Sequence, residues 1–112
     1  MAKPPAAALR YYDKEGLLPF VERSASGIRR FKESDFDWLA MINCLKDSGM
    51  SVKKIKSYVD WSMEGNATLA QRVDFMKEHK AHVEAQMATL EDHMTRIVNK
   101  IDVLSRRLEE GA

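Results

Sequence analysis

Residues 69–108 read LAQRVDFMKEHKAHVEAQMATLEDHMTRIVNKIDVLSRRL, a segment in which apolar residues recur alternately four and three positions apart. This heptad spacing places them on one stripe of a helix, and no glycine or proline interrupts the segment. At the α-helical rise per residue, the predicted helix is about 60 Å long. The apolar seam consists of Leu69, Val73, Met76, Val83, Met87, Leu90, Met94, Ile97, Ile101, Leu104 and Leu108, and Lys80 is its polar member.

An apolar seam of this length needs a partner, because the residues that precede it are too few to cover it. We therefore expect two chains to associate through a coiled coil, with the apolar seam residues from Val73 to Leu104 as the dimerisation residues. The alternative is a helix that folds back on itself as an intramolecular pair. Lys80 either specifies the register and strand number of the coiled coil or extends its long side chain into solvent.

The residues before the seam contain most of the glycines and prolines, which predicts several short elements. A first helix begins near Pro5 and ends at Gly16. A hairpin or wing follows, in which residues 19–22 and 27–31 flank the turn at residues 24–27. We expect the chain to be mostly α, with a head over residues 1–65 and a coiled-coil helix over residues 66–110.

Two further helices complete the predicted head. Ser34 and Ser51 are good N-cap residues, and the two helices meet at Gly49. The apolar face of the first of these helices consists of Phe36, Leu39, Ile42 and the Cys44/Leu45 pair. The second repeats Val52, Ile55, Tyr58 and Val59 at helical spacing.

Composition excludes several classes of protein. With 18 basic and 17 acidic residues, the net charge of +1 argues against a polybasic binder. Cys44 is the only cysteine, so the chain has no internal disulfide and no multi-cysteine metal site. No apolar run approaches the roughly 18 residues of a membrane span, and no signal peptide is visible. We expect a cytoplasmic protein that does not contact membranes.

A local basic cluster lies within this balanced charge. Arginine offers bidentate contacts to phosphate or to a guanine edge, and tyrosine adds a hydroxyl donor and a ring that packs against sugar. The alternative is a solvated head whose aromatic residues belong to the core. The candidate DNA-binding residues are Arg10, Tyr11, Tyr12 and Lys14 on the first helix and Arg29 and Arg30 on the hairpin.

Three motifs make the head recognisable. Residues 9–19 read LRYYDKEGLLP, residues 27–31 read GIRRF, and residues 49–56 read GMSVKKIK. Together with residues 35–42, they closely resemble the MerR family of bacterial transcription regulators. The resemblance covers residues 9 to about 60, and the long helix matches the family's dimerisation helix in type.

This resemblance implies a winged helix-turn-helix head on an antiparallel coiled-coil dimer that binds a pseudo-palindromic promoter element. It places Arg10, Tyr11 and Tyr12 in the major groove and assigns the wing contact with the DNA backbone to Arg29. Family members bend and untwist the promoter so that RNA polymerase can engage both of its elements, which makes the polymerase an indirect partner.

Cys44 is a second point of resemblance, because it matches the single cysteine of a branch that responds to aldehydes and other electrophiles. A thiol sensor must be exposed and have a lowered pKa, which Lys46 or another nearby cation could supply. The alternative is a small cysteine packed in the core.

Neither an enzyme nor a metal or cofactor site is expected. His79 and His82 lie one helical turn apart, with His93 further along, but two imidazoles on an exposed face make a weak metal site. The serines lack the glycines of a nucleophile elbow, so no catalytic residues are predicted.

The segment before Leu9 departs from the family pattern. Relatives carry a helix and a tight turn there, whereas residues 1–8 contain two prolines and an alanine run that cannot form both. We therefore expect the first helix of the helix-turn-helix to be missing or truncated. The alternative function is a coiled-coil interaction module with an impaired DNA-binding head.

Overall fold

The computed structural model describes residues 6–111, apart from the side chains of Ala6, Ala7 and Arg29. This part of the chain is mostly helical and carries a small antiparallel hairpin and a long C-terminal helix, as predicted. A 3-10 helix, Gly65–Thr68, precedes the long helix. The elements in chain order are α1 (Ala6–Lys14), β1 (Glu22–Arg23), β2 (Arg29–Arg30), α2 (Glu33–Asp47), α3 (Val52–Met63) and α4 (Leu69–Glu109).

Glycine conformations determine where α1 ends and where the hairpin turns. Gly16 follows α1 with a φ of +76°, and Gly27 lies in the turn between the strands with a φ of +86°. Residues with a Cβ rarely adopt such angles, so glycine at these two positions permits the change of direction. The predicted end of α1 and the predicted turn are both confirmed.

Helix α2 begins earlier than predicted. Ser34 was expected to be its N-cap residue, but the helix starts at Glu33 and Lys32 occupies the cap position. The backbone N–H of Lys32 donates to the carboxylate of Asp35 at 2.8 Å, and Asp35 is buried. The Asp35 side chain, at the third helical position, thus caps the start of α2 in place of the expected Ser34 hydroxyl. At α3 the prediction is confirmed, because the Ser51 hydroxyl accepts from the Lys54 amide at 3.2 Å.

The core of the head lies between α2 and α3 and is covered by α1 and the residues that follow it. Leu39, Ile42 and Leu45 of α2 are buried against Ile55 and Val59 of α3. Tyr12, Leu17, Leu18 and Met50 complete the cluster. The predicted grouping of Cys44 with Leu45 is wrong, because Leu45 is buried and Cys44 is exposed. Adjacent helical residues differ by about 100° in direction, and Leu45 continues the stripe of Ile42.

Polar contacts and stacked rings stabilise the junction between α3 and α4. The hydroxyl of buried Thr68 donates to the Trp61 carbonyl at 2.5 Å, and the Arg72 guanidinium donates to that hydroxyl at 3.0 Å. The Phe75 ring packs against Tyr58 and Trp61, with centroid distances of 5.9 and 5.2 Å. The first two turns of α4 therefore belong to the packing of the head.

Helix α4 has 41 residues, none of which is buried. It runs without interruption from Leu69 to Glu109, so the alternative of a helix that folds back on itself is wrong. By contacts, the chain divides into a unit that ends at Lys77 and a unit that begins at Glu78, within α4. Among the described helices, none has the length and apolar content that a membrane span requires.

Candidate nucleic-acid interface

Helix α1 has one face in the core and an opposite face that is cationic. Leu9 and Tyr12 pack into the core of the head. Arg10 and Lys14 are exposed, and Tyr11 is 40% exposed. Because Arg10 and Lys14 are four residues apart, they lie on the same side of the helix. This side presents a guanidinium, an ammonium and a phenol to solvent.

Tyr12 lies inside the head, in contrast to the expected role as a surface contact. Its side chain is only 2% exposed, and its hydroxyl donates to Oδ1 of Asn43 on α2. Burial raises the pKa of the phenol, and the nearby Asp47 carboxylate and Tyr11 raise it further. Tyr12 therefore packs α1 against α2, as in the alternative interpretation of the aromatic residues. A DNA contact from its ring would require the core to open.

Lys46 joins the cationic face from α2, a position that the motifs on α1 and the hairpin did not indicate. Its ammonium nitrogen lies 5.4 Å from the centroid of the Tyr11 ring and 5.7 Å from that of Tyr12. Cations at such distances are attracted to aromatic rings. The sequence signal was available in the spacing of α2, where Asn43 and Lys46 flank the buried stripe of Leu39 and Ile42 on the side that meets α1.

The hairpin follows α1 along the chain and carries further arginines. Glu22 pairs with Arg30 and Arg23 pairs with Arg29 in the antiparallel register. Arg30 is exposed, whereas the side chain of Arg29 lies outside the described part of the structure. The wing contact expected of Arg29 therefore stays a prediction. Glu22 also forms an ion pair with Lys32, with 3.3 Å between its Oε1 atom and the Lys32 Nζ atom.

Cys44 lies exposed on α2. Its backbone carbonyl accepts a hydrogen bond from the Ser48 hydroxyl at 2.7 Å, which leaves the thiol outside this contact. The alternative interpretation of Cys44 as a core residue is wrong. No group of three or more His, Cys, Asp or Glu side chains within the described residues could hold a metal ion.

The seam residues of α4 are exposed along most of the helix. Met76 and Val83 are half-buried, and Met76 packs against the core of the head. Lys80 forms an exposed ion pair with Glu84 at 3.2 Å. The exposed seam residues are Leu69, Val73, Met87, Leu90, Met94, Ile97, Ile101, Leu104 and Leu108.

Comparison with known proteins decides what this combination of head and helix represents. Residues 1–60 match the MerR HTH family of regulatory proteins, and residues 36–100 match the family description "MerR, DNA binding". The chain belongs to the MerR family. The resemblance inferred from the motifs is thereby confirmed, and the match to residues 36–100 extends it into the long helix.

Several known proteins are similar to this chain over most of its length. An uncharacterised HTH-type transcriptional regulator of Haemophilus influenzae is 38% identical over 86% of this chain and 71% of its own length. A MerR-family regulator from Bacillus thuringiensis has a TM-score of 0.77 at 43% identity, covering 85% of this chain and 83% of that one. HiNmlR, a family regulator that lacks the sensor domain and was solved bound to promoter DNA, has a TM-score of 0.84 at 36% identity, covering 96% and 85%.

Membership in the MerR family makes this chain a DNA-binding transcriptional regulator and confirms the predicted fold class. The individual site residues are not tested by these similarities. Arg10, Tyr11, Lys14, Arg29 and Arg30 therefore stay predicted DNA contacts. Neither the predicted truncation of the first helix nor membership in the branch with a single sensing cysteine is confirmed.

Proposed function

We propose that this MerR-family chain acts as a homodimer that binds a pseudo-palindromic promoter element through α1 and the hairpin. The observation that carries the proposal is the two-sided character of α1. Its buried face is held by Tyr12 against α2, while Arg10, Tyr11 and Lys14 face solvent. A rigidly packed helix with a cationic outer side suits entry into the major groove.

The chemistry of the exposed side chains fits the two kinds of contact that duplex DNA offers. The Arg10 guanidinium suits a bidentate contact to guanine or to phosphate. The Tyr11 hydroxyl and the Lys14 and Lys46 ammonium groups suit phosphate oxygens, which position the head without reading sequence. In the proposal, Arg29 and Arg30 extend these contacts to the backbone beside the groove.

Dimerisation is assigned to α4. Nine of the predicted seam residues are large, apolar and exposed, and they recur at heptad spacing. Their burial against a second α4 removes an apolar surface that a monomer leaves in water. The proposed division of roles is DNA binding by residues 1–65 and antiparallel dimerisation by residues 66–110, with two heads on two inverted half-sites.

Two heads on a rigid coiled coil can also distort the promoter. A dimer with a fixed distance between its heads binds best to DNA whose half-sites match that distance, and binding energy can offset the cost of bending or untwisting other spacings. Such a deformation, rather than a direct contact, would let RNA polymerase engage both promoter elements. The protein would act in the cytoplasm, where promoter DNA lies, and the proposal assigns it no catalytic activity.

The test is a selection of duplexes by the full chain from a random pool, followed by anisotropy titration of the enriched duplex. We expect enrichment of two inverted half-sites. Affinity should fall by roughly 10³-fold between 50 and 200 mM salt if the dimer neutralises about six phosphates. The rival function, a coiled-coil interaction module with an impaired head, predicts a dimer that enriches no duplex. That outcome would reject the proposal.

A sensor role for Cys44 is a second proposal, which is supported by the exposure of this thiol on α2. We expect iodoacetamide to modify Cys44 in the folded protein at neutral pH and expect the Cys44→Ser variant to take up no label. Mass spectrometry after timed quenching measures the rate. Modification that occurs only after denaturation would contradict the sensor role.

A further inference from the structure

The guanidinium of Arg23 bridges α1 and the turn of the hairpin. Its Nη2 atom lies 2.6 Å from each carboxylate oxygen of Asp13, which is in the last turn of α1. Its Nη1 atom donates to the Gly27 carbonyl at 3.1 Å. One side chain thus contacts both elements to which we have assigned DNA binding.

Among the side chains that the structure describes, few others hold the hairpin in a fixed position. Each strand has two residues, and an isolated hairpin of this size is at best marginally stable in water. Phe20, Val21 and Phe31 pack its base against the core, but Ile28 near the turn is 66% exposed. The turn is closed internally by bonds from the Ser24 amide to the Ile28 carbonyl at 2.7 Å and from the Ile28 amide to the Ser24 hydroxyl at 3.1 Å.

We propose that Asp13 and Arg23 form a latch that holds the hairpin in a fixed position relative to α1. The inference rests on the proposed function, since the purpose of the latch is to let α1 and the hairpin contact one duplex together. Arg23 is then a positioning residue rather than a phosphate contact, because its cation is already paired. Asp13 is a positioning residue as well, although its charge opposes that of DNA.

Because Asp13 is negatively charged, the latch and a pure charge effect predict opposite changes in DNA affinity when Asp13 is removed. If Asp13 acts only through its charge, its removal lessens repulsion of the phosphates and binding tightens. If Asp13 holds the hairpin, its removal frees the turn and binding weakens. Glu15 is the matched control, because it carries the same charge two residues later, just beyond α1. The control measures the effect of charge alone.

The experiment uses three variants of the full chain: Asp13→Ala, Glu15→Ala, and a double variant that carries both Asp13→Arg and Arg23→Asp. The affinity of each for the selected duplex is measured by anisotropy titration. We expect Asp13→Ala to weaken binding about fivefold, the size that an exposed ion pair of good geometry supplies. Glu15→Ala should bind as tightly as the unaltered chain or more tightly, and the double reversal should recover most of the loss. Binding by Asp13→Ala that is unchanged or tighter overturns the latch.

The salt dependence of Arg23→Ala separates positioning from direct contact with DNA. If Arg23 binds phosphate, its removal should lower the slope of log affinity against log salt by about 1 for each phosphate that it neutralises. The latch predicts weaker binding with an unchanged slope. A lower slope would show that Arg23 binds phosphate and would overturn the assignment.

Amide hydrogen exchange without DNA tests the latch independently of the proposed function. We expect the Ser24 and Gly27 amides, both bonded within the turn, to exchange faster in Asp13→Ala than in the unaltered chain. Amides in the core of α2, such as Ile42, should not change. Unchanged turn amides would overturn the latch, whereas failure of the unaltered chain to enrich any duplex would reject the proposed function alone.

Discussion

Leu90→Glu is expected to convert the dimer into monomers. Leu90 is 65% exposed on α4 and lies near the middle of the seam, where the two helices of the proposed antiparallel dimer would be closest to their symmetry axis. Loss of a buried leucine removes about 1.5–3 kcal/mol per copy, and a carboxylate in the seam adds a desolvation cost. Because both copies change, the dimer dissociation constant should rise by at least two orders of magnitude, at 1.4 kcal/mol per tenfold.

Sedimentation velocity at several protein concentrations measures this change directly. Thr89→Glu is the matched control, because it introduces the same charge at the adjacent position, outside the seam. It should leave the dimer intact. Leu90→Glu should also lose most of its affinity for the two-half-site duplex, since a monomer engages one half-site at a time. A Leu90→Glu chain that remains dimeric would show that the seam is not the interface.

Arg10→Ala is expected to weaken DNA binding strongly without changing the proposed dimer. Arg10 is exposed on α1, and no ion pair or hydrogen bond of its side chain is found within the described residues. An arginine contact to a base or phosphate contributes about 1–3 kcal/mol. Since both heads carry the substitution, affinity for the selected duplex should fall about thirtyfold or more. Anisotropy titration measures the decrease, and sedimentation velocity verifies the dimer.

The control for Arg10→Ala is Arg96→Ala, which removes the same side chain and charge from α4. Arg96 is exposed and pairs with Asp92 of its own helix at 3.4 Å. Its removal should cost only a few tenths of a kcal/mol of helix stability and leave the affinity for DNA nearly unchanged. If both variants lose affinity equally, DNA responds to the net charge of the chain and α1 has no special role.

Elements marked by local signals could be predicted from the sequence. The end of α1, the hairpin turn and the cap of α3 depend on Gly16, Gly27 and Ser51, whose preferences act within a few residues. The start of α2 was missed by two residues because Asp35 caps it from inside the helix. That contact follows from a carboxylate that the fold buries, and burial of a carboxylate is not visible in a hydrophobic pattern.

The buried face of a short helix was harder to predict than the residues that the helix spans. Helix α1 has nine residues, so its apolar positions define a face poorly, and Tyr11 and Tyr12 are equally plausible as surface or core. The structure separates them, because Tyr12 reaches Asn43 on α2 while Tyr11 stays outside the core. The same holds for Cys44 and Leu45, which the sequence grouped together. Lys46 was not recognised as part of the cationic face, because its contacts with the Tyr11 and Tyr12 rings join two different helices.

The sequence by itself determined the family, the helical class, the hairpin and the long heptad helix, because motifs and periodicity are properties of neighbouring residues. Only the tertiary structure decided that Tyr12 is buried, that Cys44 is exposed and that Arg23 joins Asp13 across ten residues. Those outcomes depend on which elements pack together and at what angle. The free energy of such packing is shared among distant residues, so no local pattern encodes it.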